Sequence, residues 1–129
     1  MLHFIIGGRG AGKRDRLLSF GLAPADIFDG ETGTLEEAFS HPALDRLHGL
    51  VRRWMEKGKD PAGIFDEILK GDVRYLACDE VGGGIIPMDG FEREYREAVG
   101  RLCCRIAAQA QVVERLYCGI PMVLKENET

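Results

Sequence analysis

The sequence predicts an α/β fold: a mostly parallel sheet with helices on its faces. Two observations carry this expectation. Short apolar runs alternate with segments whose apolar residues recur at steps of three and four. The first run stops at a glycine-rich stretch, IIGGRGAGKR (5–14), which leads straight into a helical pattern. A chain of 129 residues suits one domain, 1–129, with no internal repeat and no linker long enough to divide it.

The elements follow in order. LHFII (2–6) ends at Gly7 and suits a buried first strand. A helix is expected from near Lys13, turning Leu17, Leu18 and Phe20 inward, until Gly21 and Pro24 break it. DIFDG (26–30) reads as a second strand ending at Asp29. From Thr34 to Lys70 the pattern is helical, with Leu44, Leu47, Val51, Trp54 and Met55 on one face and Asp45, Arg52 and Arg53 opposite. Gly58 should close that helix, and DPAG (60–63) open another with Asp60 as N-cap and Pro61 at its first position. VRYLAC (73–78) is a third strand, followed by glycine-rich DEVGGGIIP (79–87). Phe91, Tyr95, Val99, Leu102, Ile106 and Ala110 mark one face of a long helix. RLYC (115–118) and PMVL (121–124) form the last two strands, and the short link at Gly119 leaves room for an antiparallel pair.

The net charge of −4 argues against a nucleic-acid duplex or an anionic membrane as the main partner, though not against a small anion held by a basic loop. No apolar run approaches the roughly 20 residues of a membrane span. The start MLHFIIGGRG has neither a basic n-region nor a cleavage site, so a cytoplasmic location is expected. Cys78, Cys103, Cys104 and Cys118 form no C-x-x-C pair and read as buried small residues in a reducing compartment.

Gly7, four residues, Gly12 and Lys13 have the spacing of a phosphate-cradling P-loop. Gly7, Gly8, Arg9, Gly10, Ala11, Gly12, Lys13 and Arg14 are therefore the candidate nucleotide-binding residues. Backbone N–H groups in such a turn converge on an anion, and Lys13 adds a full charge for the outer phosphates. A plain glycine-rich turn with a surface lysine is the alternative. Position 14 ordinarily carries a hydroxyl for Mg²⁺; Arg14 has five donors and no acceptor, so it favours anion binding over the metal. Asp29 is the candidate metal acid, acting through water, or else a strand-ending Asp-Gly turn. Glu80, at a strand's C-terminal end, faces the crevice where α/β sheets bind ligands, or accepts N–H groups from the turn after it.

DEVGGGIIPMDGFEREYREAVGRLCCRIAAQAQVVERLYCGIPMVLK (79–125) resembles the C-terminal half of the adenosylcobinamide kinase/adenosylcobinamide-phosphate guanylyltransferase family. Glu80, Val81, Gly82, Gly84, Ile85, Pro87, Arg96, Gly100, Arg101, Ala107, Gly119 and Lys125 match that family's pattern, and GGRGAGKR resembles its GGxRSGKS loop. The resemblance implies a P-loop NTPase-like three-layer sandwich that phosphorylates a corrinoid side-chain hydroxyl with ATP or GTP during cobalamin biosynthesis or salvage. It further implies a homo-oligomer, with Lys13, Asp29 and Glu80 as the catalytic set.

Departures from the pattern are specific. The family carries GMP on a histidine between the loop helix and a strand ending in an acid. With Asp29 as that acid, only GLAPA (21–25) fills the interval, so guanylyl transfer is not expected. His41 and His48 come after Asp29 and His3 before the loop; His48 reads as half-buried packing or surface. Cys103 and Cys104 replace Asn-Gln, Asp79 replaces Asn, and Arg9-Gly10 reverses a small-then-Arg order. A non-catalytic nucleotide- or corrinoid-binding regulator or partner protein is the competing expectation.

Overall fold

A computed structural model describes residues 1–81 and 89–127. The elements are β1 (His3–Gly7), α1 (Lys13–Leu18), β2 (Ile27–Asp29), β3 (Ala43–Asp45), α2 (Leu47–Glu56), α3 (Gly63–Lys70), β4 (Tyr75–Asp79), α4 (Gly90–Gln109), β5 (Val112–Tyr117) and β6 (Ile120–Glu126). They build one six-stranded sheet in the order β2-β3-β4-β1-β5-β6. All neighbours run parallel except β5 and β6, which pair antiparallel across Cys118-Gly119. The α/β architecture with a mostly parallel sheet and an antiparallel end is as expected, and it is consistent with a P-loop-like fold.

Strand alternation divides the core into two layers. Phe4, Leu44, Leu76 and Val113 face α2, α3 and α4, meeting Leu50, Val51, Ile64, Leu102 and Ile106. Ile5, Ala43, Ala77 and Leu116 point the other way, where Leu17 of α1 is buried against them. Burial on both faces explains why the central strands read as continuous apolar runs. Asp89 caps α4, its carboxylate accepting the Glu92 N–H at 2.8 Å. No helix among the described residues is long and apolar enough to cross a membrane.

Three expectations need correction. The helical pattern from Thr34 conceals β3, so Leu44 belongs to a strand and Asp45, expected to face solvent, is 4% exposed. Pro42 interrupts any helix there, and its carbonyl takes the N–H groups of Arg74 and Tyr75 at the entrance to β4. α3 begins at Gly63, because Asp60 and Pro61 form a preceding turn in which the Asp60 carboxylate accepts the Ala62 N–H. Of the cysteines, only Cys78 is fully buried, while Cys104 and Cys118 are exposed. The glycine-rich stretch after Val81, with Gly82, Gly84, Ile85 and Pro87, lies outside the described residues.

Candidate functional site

β1 delivers the chain to its C-terminal edge at Gly7, and the next five residues turn it into α1. The turn needs glycine twice: Gly10 and Gly12 have φ of 76° and 97°, a region other residues rarely enter. The Ala11 N–H bonds to the Gly8 carbonyl inside the turn. Two bonds from far along the chain hold it from outside: the Glu80 N–H reaches the Gly7 carbonyl, and the Gly119 N–H reaches the Ala11 carbonyl, each at 2.9 Å.

Lys13, first residue of α1, folds back beneath this turn and is 7% exposed. Its ammonium donates to the Gly8 carbonyl at 2.8 Å and the Gly7 carbonyl at 3.3 Å, and lies 2.7 Å from Asp79 Oδ1. Asp79 ends β4, the strand beside β1, with Gly7 as its register partner. His48, in the first turn of α2, fixes Asp79 twice. Its Nδ1 accepts the Asp79 N–H at 3.1 Å, so the ring proton sits on Nε2, 3.4 Å from Asp79 Oδ2 and 3.5 Å from Glu31 Oε1.

These groups floor an open cleft of about 570 Å³. Arg9, Lys13, Arg14 and Arg46 bring positive charge to its wall, and Asp15, Glu31, Asp45 and Asp79 bring negative charge. Two pairs of opposite sign meet at this wall: Arg46 with Glu31 at 3.0 Å, and Arg14 Nη1 with Asp45 Oδ2 at 4.0 Å. Burial pushes the Asp45 carboxyl above its ordinary range; the N–H and charge of Arg46 work against that rise.

The candidate loop residues Gly10, Gly12, Lys13 and Arg14 thus border one cleft with Arg9. Asp29 does not stand beside them, as it was expected to. Two strands, β3 and β4, separate its strand from β1, and its carboxylate accepts the Glu31 N–H at 2.9 Å and faces Arg46 at 3.9 Å. The concealed β3 supplies Asp45 and β4 supplies Asp79 in its stead. Glu80 turns toward β5, where Arg115 grips it at 2.7 and 3.1 Å. Sequence reasoning missed Asp45, Arg46 and Glu31 as members of the site, set His48 aside as packing or surface, and noted Asp79 only as a departure from the family's Asn. The available signal was strand-end position, since α/β sheets bind ligands at the C-terminal ends of their strands. His3 and His41 sit at the opposite, N-terminal ends of β1 and β3.

The donor set does not suit Mg²⁺ in the arrangement usual for such loops. No hydroxyl follows Lys13, three of the four cleft carboxylates face cations, and no group of three His, Cys, Asp or Glu among the described residues is placed to hold a metal.

No curated protein matches this chain. The sequence model of the family described as cobinamide kinase / cobinamide phosphate guanyltransferase matches residues 49–124. That segment runs from Gly49, in the first turn of α2, into β6 and includes Asp79 and Glu80, while the loop 7–14 precedes it. The match covers more than half of the chain, agrees with the α/β fold, and includes β4 and β5, the two strands that flank β1. The chain therefore belongs to the cobinamide kinase / cobinamide phosphate guanyltransferase family, and its role lies in cobamide biosynthesis or salvage.

Proposed function

We propose that this protein binds ATP or GTP at the β1–α1 loop and transfers the terminal phosphoryl group to a hydroxyl on a corrinoid side chain. One observation carries the reading: Lys13 lies at the floor of an open cleft, beneath a glycine turn at the C-terminal edge of a parallel sheet. In the transfer, the acceptor oxygen attacks the terminal phosphorus, the bridging P–O bond breaks, and the nucleoside diphosphate leaves with the electron pair. The acceptor's proton passes to a cleft carboxylate, and Asp45, made more basic by burial, suits that role. Phosphoryl transfer depends on positioning and charge stabilisation. Lys13 lends its charge to the outer phosphates from beneath the turn while Asp79 still holds it, and Arg9, Arg14 and Arg46 add charge around them. Asp29 serves by holding Arg46, and Glu80, paired with Arg115, serves by bonding the Gly7 carbonyl through its N–H and so holding the loop. Guanylyl transfer through histidine is not part of the proposal, because the one histidine in the cleft, His48, has both ring nitrogens engaged.

The test is transfer of label from γ-labelled ATP or GTP to cobinamide, against a Lys13→Ala control. Transfer above the control is expected. Nucleotide binding without transfer favours a second reading, a non-catalytic nucleotide- or corrinoid-binding regulator or partner, for which the Arg14–Asp45 pair speaks. Absence of binding at millimolar nucleotide defeats both. We further propose that the chain forms a homo-oligomer. The support is edge strand β6, where Ile120, Met122, Val123 and Leu124 are all exposed, and sedimentation velocity tests it.

A further inference from the structure

A divalent cation beside a polyphosphate needs oxygen lone pairs that no other cation occupies. Three of the four carboxylates at this cleft are already matched, and the fourth, Asp15, lies in the first turn of α1. Asp79 holds Lys13 at 2.7 Å and Glu31 holds Arg46 at 3.0 Å. Asp45 faces Arg14 through Oδ2 at 4.0 Å and accepts the Arg46 N–H through Oδ1 at 2.9 Å. Arg14 occupies the loop position after Lys13, and its guanidinium, donor on every edge, cannot coordinate a metal. The Arg14 side chain is 48% exposed, whereas that of Asp45 is 6% exposed. The cation can therefore swing while its carboxylate stays fixed.

From this we infer that the cleft takes its nucleotide as the free polyanion, with the Arg14 guanidinium standing where a divalent cation would. Arg14 then links Asp45 to a phosphate oxygen, as a bound metal ion links a carboxylate to a phosphate. The fixed charge is present before the ligand arrives, so binding does not wait on a metal ion. Guanidinium also fits two phosphate oxygens side by side, which a spherical ion does not require. The inference rests on the nucleotide reading proposed above.

Calorimetric titration of ATP and of GTP, in EDTA and in Mg²⁺, tests it on the full chain, with Arg14→Ser and Arg14→Lys beside the parent. The parent's dissociation constants in EDTA and in Mg²⁺ should agree within about threefold. Arg14→Ser should weaken binding in EDTA by about tenfold, the worth of one charge-assisted contact, and regain much of it when Mg²⁺ is added. Arg14→Lys should fall between, since it keeps the charge and loses the fork. Circular dichroism of each variant confirms that the fold is intact. A parent that binds only with Mg²⁺, or an Arg14→Ser variant with unchanged affinity in EDTA, overturns the inference and leaves the nucleotide reading standing. A parent that binds neither nucleotide in either buffer overturns the nucleotide reading, and the inference with it.

Discussion

His48 offers a sharp test of how the cleft floor is held. Its ring is 12% exposed and joins α2 to the end of β4. Replacing it with alanine removes the acceptor for the Asp79 N–H and the donor facing Asp79 Oδ2. A buried N–H left without a partner costs about 1–3 kcal/mol. The slight exposure lets water recover some of that, so His48→Ala should destabilise by about 2 kcal/mol. In a chain of this length the melting temperature would fall by roughly 6–10 °C. The two ring nitrogens can be separated by choice of amide. The Asn oxygen reaches about where Nδ1 stood and can again accept the Asp79 N–H; Gln places its amide nearer Nε2 and leaves that N–H unmet. His48→Asn should therefore recover about half the loss and His48→Gln less. Urea unfolding at neutral pH with thermal circular dichroism reads all three. An alanine variant within about 0.5 kcal/mol of the parent, or a glutamine variant more stable than the asparagine one, would refute the reasoning.

Acid should act on Glu114. Burial raises its carboxyl, but the Arg16 guanidinium at 2.7 Å and His3 at 3.4 Å more than reverse this and hold it below its ordinary value. Because the folded value lies below the unfolded one, this stability is present near neutral pH and is lost as pH falls below about 4. Glu114→Gln should be less stable at pH 7 and show a shallower decline in urea titrations from pH 7 to 3; parallel declines would contradict this. A Cβ at Gly30 would run into the Arg46 carbonyl, so Gly30→Ala should cost about 1–3 kcal/mol. Gly100 sits within α4 with open space around it, and Gly100→Ala should stabilise by about 0.5–1 kcal/mol; chemical denaturation compares the pair. Iodoacetamide applied to the folded protein should modify Cys104 and Cys118 and spare Cys78, as peptide mass mapping would show.

The elements legible in the sequence were those whose burial leaves a long or punctuated pattern. β1 ends at glycine, α4 repeats its apolar face over five turns, and Gly119 separates the final strands. β3 was not legible, because three residues carry no period. Leu44 fits a helical face through Leu47 and Val51 as well as it fits a strand. Only its neighbours, β2 and β4, make it a strand, and pairing between distant segments is absent from local pattern. The site inherited this error. With β3 hidden, Asp29 was the nearest visible strand-ending acid, and Asp45 was read as a solvent-facing helix residue. Lys13 and Arg14 were identifiable because loop spacing is local. His48 and Asp79 were not, because their meeting depends on α2 packing over the end of β4.

The same topology governs when the loop can exist at all. β1 is synthesised before the strands it pairs with, Tyr75–Asp79 on one side and Val112–Leu116 on the other. Contacts so distant in sequence pay loop-closure entropy before they are rewarded, so they form slowly and late. The β5–β6 hairpin, closed by a two-residue link, has no such delay. As the chain leaves the ribosome, GGRGAGKR therefore waits as an open segment until the residues that bear Glu80 and Gly119 emerge. The first part of the site to be translated is the last to take shape.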